Sequence, residues 1–169
     1  MDEYVKFLII FLVYFALVFP ISTFIHELGH ALPALILSKE KVEIRLGTRF
    51  KGSGVRFGRL TIKVQPFSGF TGVVNFNISK ESNAKARNFW ILILGPMFSF
   101  FLVVGCYFVI TYNELPDVID FLIRALMFAS LAQFTLTIIP MKYPIFFGAY
   151  KGTPSDGYRV LMLFKKDVT

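Results

Sequence analysis

Three stretches of this chain are apolar enough to cross a bilayer, and they restrict it to a membrane fold. A spanning helix needs about 20 apolar residues. The stretches cover residues 5–37, 89–112 and 119–140. With 55% hydrophobic residues and 21 Phe in a chain of 169, a soluble core has no room for that much apolar surface. The expected fold is an α-helical membrane protein of about three transmembrane helices, forming a single core over residues 1–169. The first stretch is read as retained rather than as a signal peptide. Its flank carries Asp2 and Glu3, and no small-residue cleavage site follows.

Charge gives an expected orientation. Basic residues crowd the connection after the first stretch, from Lys39 through Arg87. The short second connection has Glu114, Asp117 and Asp120 and no Lys or Arg; Lys142, Lys151 and Arg159 follow the third stretch. By the positive-inside rule the long loop and the C-terminus belong in the cytoplasm and the N-terminus outside, in a multi-pass protein of the cell membrane. The net charge of +7 is explained by these flanks and does not call for nucleic acid. The single Cys106 allows no intrachain disulfide.

The long loop has a pattern of its own. Val42, Ile44 and Leu46 alternate with Glu43, Arg45 and Gly47, which predicts a strand. Residues 51–54 read as a turn. Val55 and Phe57 alternate with Arg56. After Gly58 the phase slips to Leu60, Ile62 and Val64, as at a β-bulge. Residues 67–76 offer a further strand, and the polar run 77–88 a short surface helix. The segment 42–76 is therefore β-rich.

His26-Glu27-Leu28-Gly29-His30 carries the strongest chemical signal. Residues four apart share one face of a helix, so both imidazoles can reach one ion, and Glu27 stands beside them as a candidate general base. Imidazole suits zinc, and a catalytic zinc site keeps three protein ligands and one water. Zinc lowers the pKa of that water from about 15.7 to about 7. The chain has only two histidines and both lie here, inside an apolar span where polar groups are costly unless used. If Lys39 marks the cytoplasmic end of the span, the imidazoles lie about 13 to 20 Å below the surface at 1.5 Å per residue. Pro20, less than two turns before the motif, is expected to kink or divide the helix.

The third ligand must be a carboxylate. Glu114, Asp117 and Asp120 belong to the opposite face, and Glu40, Glu43 and Glu81 sit beside Lys or Arg. Asp156 remains, just past the third span. It reads either as the third metal ligand or as an N-cap for the short apolar run 160–164. The residues Pro140, Pro144 and Pro154 suit an irregular return of the chain to the site.

The chain resembles the site-2 protease family of intramembrane zinc metalloproteases. That family pairs a membrane-embedded HExxH helix with a later Asp-Gly. Here His26, Glu27 and His30 match the first motif and Asp156-Gly157 the second, with Gly95-Pro96 in the middle span. The resemblance implies that Asp156 completes the zinc site and that the β-rich segment is partly membrane-embedded. Where family members often carry Asn after the Gly-Pro and Asn three residues before a Pro, this chain has Ser99 and Thr137. These two are candidate substrate contacts, or small polar groups of helix packing.

The implied activity is that of a zinc metalloendopeptidase cutting a membrane-spanning or membrane-associated peptide in the lipid bilayer, with Glu27 as base. Strand addition to residues 42–76 is the expected way to hold an unwound substrate. The alternative is a non-catalytic zinc-binding accessory or immunity protein, against which Glu27 argues. A small transporter using His and Glu as an ion relay is disfavoured by the i, i+4 pair. Neither substrate identity nor oligomeric state is legible.

Overall fold

The computed structural model describes residues 2–48, 54–65, 71–76 and 84–165. The expected turn at 51–54 falls almost wholly outside these, as does most of the polar run 77–88. Among the described residues, three helices are long and apolar enough to cross a membrane: Glu3–Leu37, Ala84–Tyr112 and Asp117–Ile138. The second starts earlier than the apolar pattern predicts. Its first turn takes up Ala84 through Asn88, so the part of the polar run that is described begins this helix rather than forming one of its own.

The first span is 35 residues long, roughly 50 Å of helix and well beyond a hydrocarbon core of about 30 Å. It consists of α1 (Glu3–Val13), a π-helical turn (Tyr14–Val18) and α2 (Phe19–Leu37). Pro20 sits in the first turn of α2. Its missing N–H falls where the π turn has already shifted the hydrogen-bond ladder, so the proline displaces the ladder without dividing the helix. No residue of α1 is buried, and Phe7, Leu8 and Phe11 face outward, as lipid-facing side chains do.

Between the first two spans lies a four-stranded sheet: β1 (Val42–Leu46), β2 (Val55–Phe57), β3 (Leu60–Val64) and β4 (Gly72–Phe76), in the order β2-β3-β1-β4. β1 runs parallel to β3 and antiparallel to β4. Val42, Ile44 and Leu46 are buried against Ala31, Ala34 and Ile91, which joins sheet, α2 and α3 (Ala84–Tyr112) in one core. The alternation read from the sequence is the cause: one face of β1 is apolar, and the other holds Glu43 between Arg45 and Lys63 at 2.7 Å each. Those cations, Lys63 first, hold the Glu43 carboxyl below its usual range against the opposing effect of burial. The bulge expected at Gly58 is a hairpin instead. Val55 pairs with Ile62 and Phe57 with Leu60, and Gly58 takes φ 58° at the turn. A two-residue turn shifts the phase as a bulge does, and its first central position requires the positive φ that glycine supplies.

α4 (Asp117–Ile138) packs its small Ala125 and Ala129 against Val18. Ser22 bonds to Ser130 at 3.1 Å and to Gln133 at 2.8 Å, tying α2 to α4. Interhelical bonds of this kind contribute about 0.6 kcal/mol each in a membrane. Beyond α4 the chain forms an irregular connection with a 3-10 segment (Ile145–Tyr150), then α5 (Asp156–Phe164).

Candidate metal centre

Helical spacing places His26 and His30 one turn apart on the buried face of α2. α3 closes on that face because Gly29 meets Gly95 there. A Cβ on Gly29 would lie 2.9 Å from the Gly95 Cα, and one on Gly95 would run into the His30 ring. Pro96, in the same turn of α3, has no N–H to give the Leu92 carbonyl. In that turn the Ile91 carbonyl accepts a 2.6 Å hydrogen bond from His30 Nδ1. His26 Nδ1 lies 3.0 Å from Ser99 Oγ, and Ser99 is fully buried.

Asp156 is brought to the imidazoles by Ser155. The Ser155 hydroxyl donates to the Ile139 carbonyl at 2.7 Å and accepts from Met141 N–H at 3.2 Å and Tyr158 N–H at 3.1 Å. It caps α5 and clamps the start of that helix to the end of α4. The sequence left Asp156 as ligand or cap; the cap is Ser155, and Asp156 is free to face inward. Gly157 lies inside α5 and is required by close approach, since a Cβ there would overlap the Ile138 carbonyl.

The result is a triangle of ligand atoms. His26 Nε2 to His30 Nε2 is 3.2 Å, His26 Nε2 to Asp156 Oδ2 is 3.2 Å, and His30 Nε2 to Asp156 Oδ2 is 3.3 Å. With Nδ1 donating to Ile91, a neutral His30 presents a lone pair at Nε2, so it and the carboxylate oxygen are two acceptors in contact. A cation placed among them would satisfy all three. Ligand atoms about 2.0 Å from a tetrahedral zinc would be about 3.3 Å apart, so the donor set and its spacing fit that ion.

The cluster opens into a cavity of about 590 Å³ bounded by α2, β4, α4 and the connection before α5. Glu27 lines it, buried, and Gly72 of β4 lies against the Glu27 carboxylate so closely that a Cβ there would displace it. Thr137 also lines the cavity, its hydroxyl donating to the Gln133 carbonyl at 2.8 Å. Asp120 is not part of the cluster and pairs instead with Arg124 at 2.6 Å. Sequence reading missed Ser155, Gly72 and Tyr150. Ser155 precedes a short apolar run, as N-caps do, and was the available signal; the other two owe their place to strand pairing and an irregular connection.

Fold and site together define a polytopic membrane protein with a metal-fitting cluster buried between its helices. Which class of membrane protein follows from comparison. The profile of peptidase family M50, the site-2 protease family, matches residues 14–160, and the chain belongs to that family of intramembrane metalloproteases. No curated protein and no solved structure gives a significant match.

Proposed function

We propose that this chain is a zinc metalloendopeptidase that cuts a membrane-associated peptide, with His26, His30 and Asp156 as ligands and Glu27 as general base. The observation that carries the proposal is the convergence of three ligand atoms 3.2 to 3.3 Å apart on a cavity that Glu27 also faces. When bound, zinc supplies a Lewis acid for the scissile carbonyl and a water of lowered pKa. Glu27 takes the proton of the attacking water and returns it to the leaving amine. Ser99 and Ile91 hold the two imidazoles in orientation from behind. Thr137 forms part of the substrate wall, whereas the buried Ser99 serves the site through His26.

Substrate enters as a strand. β4 pairs with β1 alone among the described strands; its other edge borders the cavity, and the backbone of an unwound peptide can pair with it. The basic loop and the C-terminal connection face the cytoplasm, by the positive-inside rule.

The test is metal content with cleavage. Purified protein should hold about one zinc per chain. Chelation should abolish cleavage, and added zinc should restore it. His26→Ala, His30→Ala and Asp156→Ala should each lose zinc, while Asp120→Ala keeps it. Full zinc in any of the three would remove that residue from the ligand set. Full zinc without cleavage of any membrane peptide would favour the accessory-protein reading.

A further inference from the structure

Tyr150 occupies one position of the edge at which substrate is to pair. The sheet itself fixes which groups of β4 are free. Gly47 N–H donates to the Thr71 carbonyl at 2.7 Å, and the register pairs Arg45 with Val73 and Glu43 with Asn75. Val73 and Asn75 therefore turn their backbone polar groups toward β1, and Gly72, Val74 and Phe76 turn theirs to the open edge. There Gly72 N–H donates to Tyr150 Oη at 2.6 Å, and the same hydroxyl donates to the Gly72 carbonyl at 3.1 Å. One phenol makes both bonds that a residue of an added strand would make.

Tyr150 is held in that place. Its carbonyl accepts from Thr153 N–H at 2.9 Å and from the Thr153 hydroxyl at 2.6 Å. Its ring lies 5.6 Å from that of Tyr143, whose backbone pairs with Thr153 and Gly152. Burial first, and Glu27 second, raise the phenol's pKa, so it stays protonated and keeps its donor. Gly72 is also the strand residue that touches the Glu27 carboxylate. Pairing is thus blocked at the point nearest the base.

We propose that Tyr150 is a positioning residue that stops substrate pairing at Val74 and so fixes which peptide bond is cut. The proposal rests on the strand-addition reading above. A carbonyl held in a sheet ladder is not free to be attacked. With Tyr150 in place the substrate pairs only along Val74 and Phe76, and the residues that pass Gly72 keep their backbone groups unbonded beside Glu27. Without the phenol, the substrate can also pair at Gly72. Side chains in a strand repeat every second residue, so the register can then slip by two residues while presenting the same face.

The experiment uses the full zinc-loaded chain in lipid vesicles and a transmembrane peptide with an alternating Ala-Leu centre and unique ends. Shifts of two residues along it offer the same side chains, so product masses report register alone. Wild type should give one dominant cut. Tyr150→Ala should add a product displaced by two residues, raising its share by about fivefold or more for the loss of hydrogen bonds worth about 1 kcal/mol or more together. Tyr150→Phe, which keeps the ring, should do so to a smaller degree and covers the case that the alanine variant does not fold. An unchanged product pattern in a zinc-loaded Tyr150→Phe or Tyr150→Ala enzyme, whatever its KM, would overturn the proposal. Val74→Pro separates the two readings, because the Val74 N–H points to the open edge and its loss spares the β1 pairing. Wild-type cleavage by Val74→Pro would overturn strand addition, and the role of Tyr150 with it. Loss of cleavage there, beside an unchanged pattern in the Tyr150 variants, would overturn the Tyr150 proposal alone.

Discussion

Ser99 lies behind one imidazole of the cluster, where a hydroxyl can tune a proposed metal ligand. Its hydroxyl lies 3.0 Å from His26 Nδ1, and it is fully buried. The partner at Nδ1 determines which tautomer the ring holds and so whether Nε2 offers its lone pair. Ser99→Ala leaves the helix intact and removes that partner. It should weaken zinc affinity by about 10- to 100-fold, the range for loss of a partner behind a ligand. Competition titration with a zinc chelator would measure this, and unchanged affinity would mean that the hydroxyl only fills space. The Ser99 position was visible in the sequence through the Gly95-Pro96 pair before it. Its contact with His26 was not, since only the close crossing at Gly29 and Gly95 aligns the two.

At the scale of elements, local pattern was enough for some features and failed where distant parts meet. The alternation in β1 and the i, i+4 imidazoles of α2 follow from one strand and one helix, and both were legible. The hairpin at Gly58 was misread because a turn and a bulge shift the apolar phase alike. The open edge of β4 could not be foreseen, because strand order depends on the parallel pairing of β1 with β3. The arrangement of spans and connections makes a prediction of its own. In a Cys106→Ser background, Lys39→Cys and Lys142→Cys, both at exposed positions, should react with an impermeant maleimide only from the cytoplasmic side. Glu114→Cys should react only from outside. The reverse pattern would invert the proposed topology.

Across the whole molecule, apolar surface faces outward and polar groups converge inward. Phe7, Phe101, Tyr107 and Phe128 are exposed, while His26, Glu27, His30 and Ser99 are buried. Burying such groups in a span is costly unless they work together, and all of them border one cluster and its cavity. Asp156 reaches that cluster from 126 residues beyond His30 because Ser155 fastens α5 to the end of α4. On the proposed function this cluster is a hydrolytic zinc site with Glu27 as its base. The most direct measurement is peptide cleavage by Glu27→Gln at matched zinc content, followed by mass spectrometry of the products. The variant keeps both imidazoles and Asp156, so it should hold about one zinc per chain while its turnover falls by about 10² to 10⁴. Cleavage at the wild-type rate by zinc-loaded Glu27→Gln would rule out Glu27 as the base and this mechanism with it.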